Sequence, residues 1–151
     1  CNFIKVNPII KTKTVIDGLW VCCLDGRSDV IATDHASHPL EEKAQKYLQA
    51  PSGGPLVQHA LNVMLENFKN GKISLEKIVE KMCHNPAILF QIEKRGYIKE
   101  GFKADLVLVD LKQKYTVSKE NILANCGWSH FEGTEYHSKI TQTFVNGFLA
   151  Y

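Results

Sequence analysis

The sequence predicts an α/β fold that gives way to a mostly β tail. A β-type run, a helical run and a second β-type run follow one another within the first 35 residues. Helix signals then dominate as far as Gly96. Beyond Gly96 come a strand rich in Val and Leu and a hairpin turning on Asn146-Gly147, a turn pair that suits the twist of two antiparallel strands.

Taken in order, FIKVNP (residues 3 to 8) reads as a short strand closed by Asn7-Pro8. Residues 12 to 25, TKTVIDGLWVCCLD, place Val15, Leu19, Cys22 and Cys23 near one helical face, and Asp25-Gly26 ends the helix. DVIATDH (residues 29 to 35) is apolar on both faces at its centre, the pattern of a strand in a sheet covered on both sides. Such a βαβ start implies parallel strands and a right-handed crossover.

APSGG (residues 50 to 54) is a permissive loop. Leu56 to Asn67 is expected to be helical, with Leu61, Met64, Leu65 and Phe68 spaced for one face and Asn70-Gly71 as the break. Ser74 is expected to cap the next helix, LEKIVEKMC. Asn85-Pro86 should start a further short one, with proline in the first turn. After Gly96, residues 105 to 111 form a strand and TQTFVNGFLAY a hairpin. A boundary is placed there, giving residues 1–96 and 97–151 as two units.

Composition narrows the function. The chain has 151 residues, 44% of them hydrophobic, enough for one domain with a core. Its net charge of +2 comes from 18 basic and 16 acidic residues, interspersed, with no basic stripe for nucleic acid. No apolar run approaches the ~20 residues of a membrane span. The five cysteines are Cys1, Cys22, Cys23, Cys83 and Cys126. An odd number without a C-x-x-C fits reduced thiols in a cytoplasmic protein. The chain opens on Cys1 rather than Met, as a piece of a longer protein would.

In parallel α/β folds the chemistry sits at the carboxyl ends of the strands. Asn7 ends the first expected strand and Asp34-His35 the second, and the following loops add His38, Gly53 and Gly54. A carboxylate at such a rim can hold a metal and move a proton. Each residue also has a plainer reading: an Asp after a strand is often a helix cap, and Asn7-Pro8 is often just a turn. His59, His84, His130 and His137 are read as surface or packing residues.

IKVNPIIKT, DVIATDHASH, APSGGP, GYIKEGFKADLVLVDL, CGWSHFEGT and TFVNGFLAY, in that order, resemble dihydroorotase over nearly the whole chain. ADLVLVD is shared across the wider amidohydrolase superfamily, whereas TDHASH together with WSHFEGT points to dihydroorotase. The resemblance implies a TIM-like (β/α)8 metal-dependent hydrolase barrel with zinc at its carboxyl rim. This chain would supply the last two strands with their helices, followed by part of a small β domain.

It also implies reversible hydrolysis of the cyclic amide of dihydroorotate to carbamoyl aspartate in pyrimidine biosynthesis. By position, Asp34 matches the catalytic and metal-binding aspartate. His38 matches the residue that binds the substrate carboxylate, Asn7 one that hydrogen-bonds the ring, and Gly53 one that offers backbone to it. His35 is expected to support the strand end rather than bind metal. Ser37 stands where many relatives have proline, and Lys11 where many have arginine.

The family's other metal ligands come from earlier strands: a His-x-His pair, a lysine (often carboxylated) or an acid, and two further histidines. None is matched in this chain. The fragment alone is therefore expected to hold no zinc stably, to be inactive, and to self-associate through open strand edges. The natural protein is expected to be a homo-oligomer acting on a small molecule, with no nucleic-acid or membrane partner. A hydantoinase, an allantoinase or a catalytically dead scaffold would be the alternatives. His38 discriminates, because only a ring bearing a carboxylate needs that cation.

Overall fold

The computed structural model describes residues 2–151. Five α-helices and five strands form: α1 Lys13–Leu24, α2 Leu40–Lys43, α3 Ala60–Lys69, α4 Leu75–Val79 and α5 Asn85–Leu89, then β1 Leu106–Asp110, β2 Tyr115–Thr116, β3 Glu135–Tyr136, β4 Lys139–Val145 and β5 Phe148–Leu149. Short 3-10 turns cover Asn2–Ile4, Val57–His59 and Lys119–Asn121.

Neither of the two expected early strands forms. Residues 2 to 4 are a 3-10 turn, and residues 28 to 39 run without regular structure. A strand exists only through its lateral partners. Among the described residues the two segments share no backbone hydrogen bond; the 53–54 loop lies between them instead. Gly53 N–H donates to Lys5 O at 2.9 Å and Ala36 N–H to Gly54 O at 3.1 Å. Further along, Ile31 N–H donates to Lys81 O at 3.1 Å.

The helical signals hold better. Helix α1 ends at Asp25, as Asp25-Gly26 predicts, but Val15 and Leu19 are exposed and Trp20 is the residue that packs on the core. That core joins Met64 of α3 to Ile73 and Ile78, with Ile31, Leu61 and Phe68 against it. Ser74 caps α4, its hydroxyl accepting from Lys77 N–H at 3.2 Å.

Helix α5 starts at Asn85 with Pro86 in its first turn, as expected, but it follows the preceding helix without a gap. A π-turn, Glu80–His84, links α4 to α5, and Asn85 N–H reaches back to Glu80 O. Proline lacks an N–H and its ring crowds the preceding turn, so a locally widened helix absorbs it. The run ends at Leu89, and Gly96, seven residues on, has φ +80° and packs back against it, in space where a Cβ would lie 2.6 Å from Ala87 Cβ and 2.7 Å from Cys83 O.

In the tail, β1, β4 and β5 make one antiparallel sheet in the order β1-β4-β5, with Leu106 opposite Phe144 and a register shift between Leu108 and Val109. The Asn146-Gly147 turn joins β4 to β5 as its sequence predicts. Strands β2 and β3 pair separately, Tyr115 opposite Tyr136.

Candidate active site

Asp34 is the backbone exception of the rim. Its φ is +48°, a left-handed conformation that non-glycine residues adopt at a cost, though aspartate tolerates it better than most. Strain of this kind gathers where a side chain must be aimed. The Asp34 carboxylate is exposed and makes no hydrogen bond among the described residues.

His35 faces the other way in chemical terms. Its Nδ1 accepts from the backbone N–H groups of Leu56 and Val57, both at 3.1 Å. It thereby satisfies donors at the start of the turn that leads into α3. An Nδ1 used as an acceptor leaves the ring proton on Nε2. His35 thus ties its segment to the turn before α3, whereas the strand end it is expected to support does not form.

His38 is paired. Its Nδ1 lies 3.0 Å from Glu42 Oε2 in α2, which leaves Nε2 as the nitrogen for a ligand. The His38 carbonyl accepts from the indole N–H of Trp128 at 2.8 Å. Asn7, exposed and joined to Pro8 by a cis peptide, makes no side-chain hydrogen bond among the described residues.

The glycine loop is shaped by close approach. Gly53 has φ +121°, and a Cβ there would lie 2.6 Å from Ala36 Cβ. A Cβ on Gly54 would fall 1.8 Å from His130 Cε1. His130 in turn approaches Phe3 O through Nε2 at 2.5 Å, and Trp128 meets Phe3 edge-on with ring centroids 5.1 Å apart. No hydrogen bond joins Asp34, Asn7 and His38 to one another. Their backbone neighbours bring the segments together: Lys5 to Gly53, Ala36 to Gly54, and His38 to Trp128.

Sequence reasoning missed the part played by Trp128, His130 and Lys43. His130 reads as a packing residue and does pack, but its place under Gly54 makes it part of the rim's wall. The WSHFEGT motif was the available signal for two of them; Lys43, inside the charged run LEEKAQK, carries none.

The site is an open rim. One cavity, of about 320 Å3, lies away from it beside Gln58, Asn62 and Lys139, and another, of about 470 Å3, borders its wall at Phe3, Trp128 and His130. Neither is lined by Asn7, Asp34, His38 or Gly53. The described residues contain no group of three or more His, Cys, Asp or Glu side chains able to hold a metal. A stable zinc site takes three or four protein ligands, so the residues present do not build one by themselves. No helix among them is long and apolar enough to cross a membrane.

Residues 11–149 match the amidohydrolase family. The chain is 36% identical over 148 residues to a dihydroorotase of Clostridium acetobutylicum, covering 97% of this chain and 35% of that one. It is 39% identical over 132 residues to a dihydroorotase of Halobacterium salinarum, covering 87% and 31%. It thus spans about a third of the length of the curated relatives it matches. Among solved structures, an L-hydantoinase (dihydropyrimidinase) from Arthrobacter aurescens superposes with a TM-score of 0.90 at 29% identity, over 98% of this chain and 34% of that one. A D-hydantoinase from Thermus sp. shares the fold at 24% identity, also with a TM-score of 0.90, over 99% and 34%. By sequence and by fold, this chain belongs to the amidohydrolase family.

Proposed function

We propose that this chain is the C-terminal part of a zinc-dependent dihydroorotase, residues 1–96 coming from its barrel and 97–151 from its small β domain. The reaction is the reversible hydrolysis of the cyclic amide of dihydroorotate to carbamoyl aspartate, in pyrimidine biosynthesis in the cytoplasm. The observation that carries this reading is the bond from the Trp128 indole to the His38 carbonyl. It ties the WSHFEGT segment to the loop whose histidine a ring carboxylate would need.

Asp34 takes a proton from the water that attacks the ring carbonyl carbon. As the carbon–nitrogen bond breaks, it returns that proton to the departing ring nitrogen. Its exposure and its constrained backbone support this role. His38, oriented through Nδ1 by Glu42, receives the substrate carboxylate on Nε2 in a charge-assisted hydrogen bond. Asn7 hydrogen-bonds the ring. The Gly53 N–H is already given to Lys5 O, so its carbonyl, with a second lone pair, is the group left for the ring N–H. Zinc, when bound, lowers the pKa of water towards neutrality. Asp34 is the ligand this chain contributes, and the remaining ligands belong to the rest of the complete protein.

A hydantoinase is the second reading, favoured by the 29% identity to the Arthrobacter enzyme. The complete protein should therefore be offered dihydroorotate and an unsubstituted hydantoin, before and after chelation. Turnover that prefers dihydroorotate, fails on chelation and returns with zinc is expected, with none from residues 1–151 alone. A preference for hydantoin would replace this reading. Turnover by the isolated chain would remove the fragment part of it.

A further inference from the structure

We propose that Lys43 is a positioning residue for the substrate, its buried ammonium holding the Asn7 segment, the Gly53 loop and the His38 loop in one frame. This rests on the dihydroorotase reading above. Lys43 ends α2 and is 0% exposed. Its Nζ donates to Gly53 O at 2.9 Å, to Pro51 O at 3.0 Å and to Lys5 O at 3.5 Å. An ammonium has three N–H donors, and here each meets a carbonyl.

The bonds close on themselves. Lys5 O, which accepts from Lys43, also accepts from Gly53 N–H at 2.9 Å. A change at any corner is therefore felt at the other two. Asn7 lies two residues beyond Lys5 in the chain. On the far side, Lys43 Nζ stands 5.8 Å from the centroid of the Trp128 ring, whose indole N–H holds the His38 carbonyl. Asn2 adds a further tie, its side-chain amide donating to Lys43 O at 2.9 Å.

Packing alone does not account for an ammonium in this place. No carboxylate pairs with Lys43 among the described residues, and burying a cation without a counter-charge is costly. A methionine would fill the same space without that cost. The lysine does what methionine cannot: it donates to carbonyls of two separate stretches of chain, Lys5 and the loop of Pro51 and Gly53, and it sets positive charge behind a loop proposed to meet an anion. Burial, and after it the nearby Lys5 ammonium, press the Lys43 pKa below its ordinary value.

The test is Lys43→Met in the complete protein, with Lys43→Gln as the milder variant should the first fail to fold. Two quantities are read: KM and kcat for dihydroorotate, and the hydrogen-exchange rate of the Gly53 amide. The expected result is a KM raised at least about tenfold with kcat within about threefold, because binding groups move while the proton carrier does not. Gly53 exchange should quicken by about tenfold or more as its bond to Lys5 O loosens. In an active protein, an unchanged KM overturns the proposal, as does a loss confined to kcat. If the wild-type protein turns over no dihydroorotate, the functional reading has failed. Lys43 is then judged on exchange alone: unchanged exchange at Gly53 overturns the frame, and faster exchange supports it.

Discussion

The rim around Asp34 and the seam along α3 are both rich in histidine, asparagine and acid, yet their polar groups are satisfied differently. At the rim, Asp34 and Asn7 are exposed and make no hydrogen bond among the described residues. At the seam, His59 and Asn62 are only 1% and 3% exposed. Asn62 donates to Ser138 O at 3.4 Å, and Glu66 accepts from both the backbone and the ring of His137, each at 3.0 Å. Residues 59, 62 and 66 share one face of a helix, and that face meets residues 136 to 138. His59 is further enclosed by Tyr115, Phe131 and Tyr136. The acid and amide are thus spent on cohesion at the seam, while Asp34 and Asn7 stay unbonded at the rim beside two histidines that are themselves bonded.

That contrast can be broken from the rim side first. In the complete protein, Asp34→Ala is expected to lower turnover by at least ~10³-fold. Its unfolding free energy should fall by about 1 kcal/mol, because alanine tolerates the left-handed φ of this position less well than aspartate. Near-normal turnover would take Asp34 out of the mechanism. His38→Ala should act next most strongly, raising KM for dihydroorotate roughly 10- to 150-fold, the worth of about 1.5–3 kcal/mol in a charge-assisted hydrogen bond. A ring substrate without the carboxylate should lose less. Equal losses for both rings would speak for the hydantoinase reading.

At the seam the expected order is reversed, with stability changing and chemistry not. Tyr136 is 3% exposed, and Tyr136→Ala should cost about 3–5 kcal/mol in denaturant unfolding, the range for deleting a buried aromatic ring. Tyr136→Phe should behave quite differently. The Tyr136 hydroxyl is buried without a hydrogen-bond partner among the described residues. Burial, helped by the nearby Glu66 carboxylate, pushes its pKa up to about 12. Removing an unpaired buried hydroxyl should leave stability unchanged or raise it by about 1 kcal/mol. A marked loss would show that the hydroxyl is satisfied in solution.

The smallest expected effect sharpens the contrast through pH. Burial pushes the His59 pKa below its ordinary 6.5. The unfolded chain then binds the proton more readily than the folded one. Stability should be full above pH 6.5 and fall as the pH drops from there through the lowered folded value. His59→Phe should flatten that slope in thermal unfolding followed against pH. An equally steep slope in the variant would assign the acid sensitivity to another group.

What could be read from the sequence follows from how local each signal is. Asp25-Gly26, Ser74 and Asn146-Gly147 each act through bonds spanning a few residues, and each ends, caps or turns the element its chemistry predicts. The strand at residues 105 to 111 was legible for a related reason: its antiparallel partner, residues 139 to 145, lies in the same chain. The π-turn was less legible, because proline usually marks a helix start and only the whole helix shows how its ring is absorbed.

Residues 3 to 8 and 29 to 35 carry strand-like side chains, but a ladder is made by neighbours, and here loop backbone stands between the two segments. On α1, apolar spacing identified the helix, yet the contact with the core is made by Trp20 rather than by Val15 or Leu19. The motifs named Asn7, Asp34, His38 and Gly53 as rim positions; how those segments are held is not written in any motif. The sequence by itself determined where local turns, caps and apolar periods lie. Only the tertiary structure decided that a lysine in a charged run is wholly buried, since its ammonium finds carbonyls 8, 10 and 38 residues away, and bonds across such separations form only once the chain has folded.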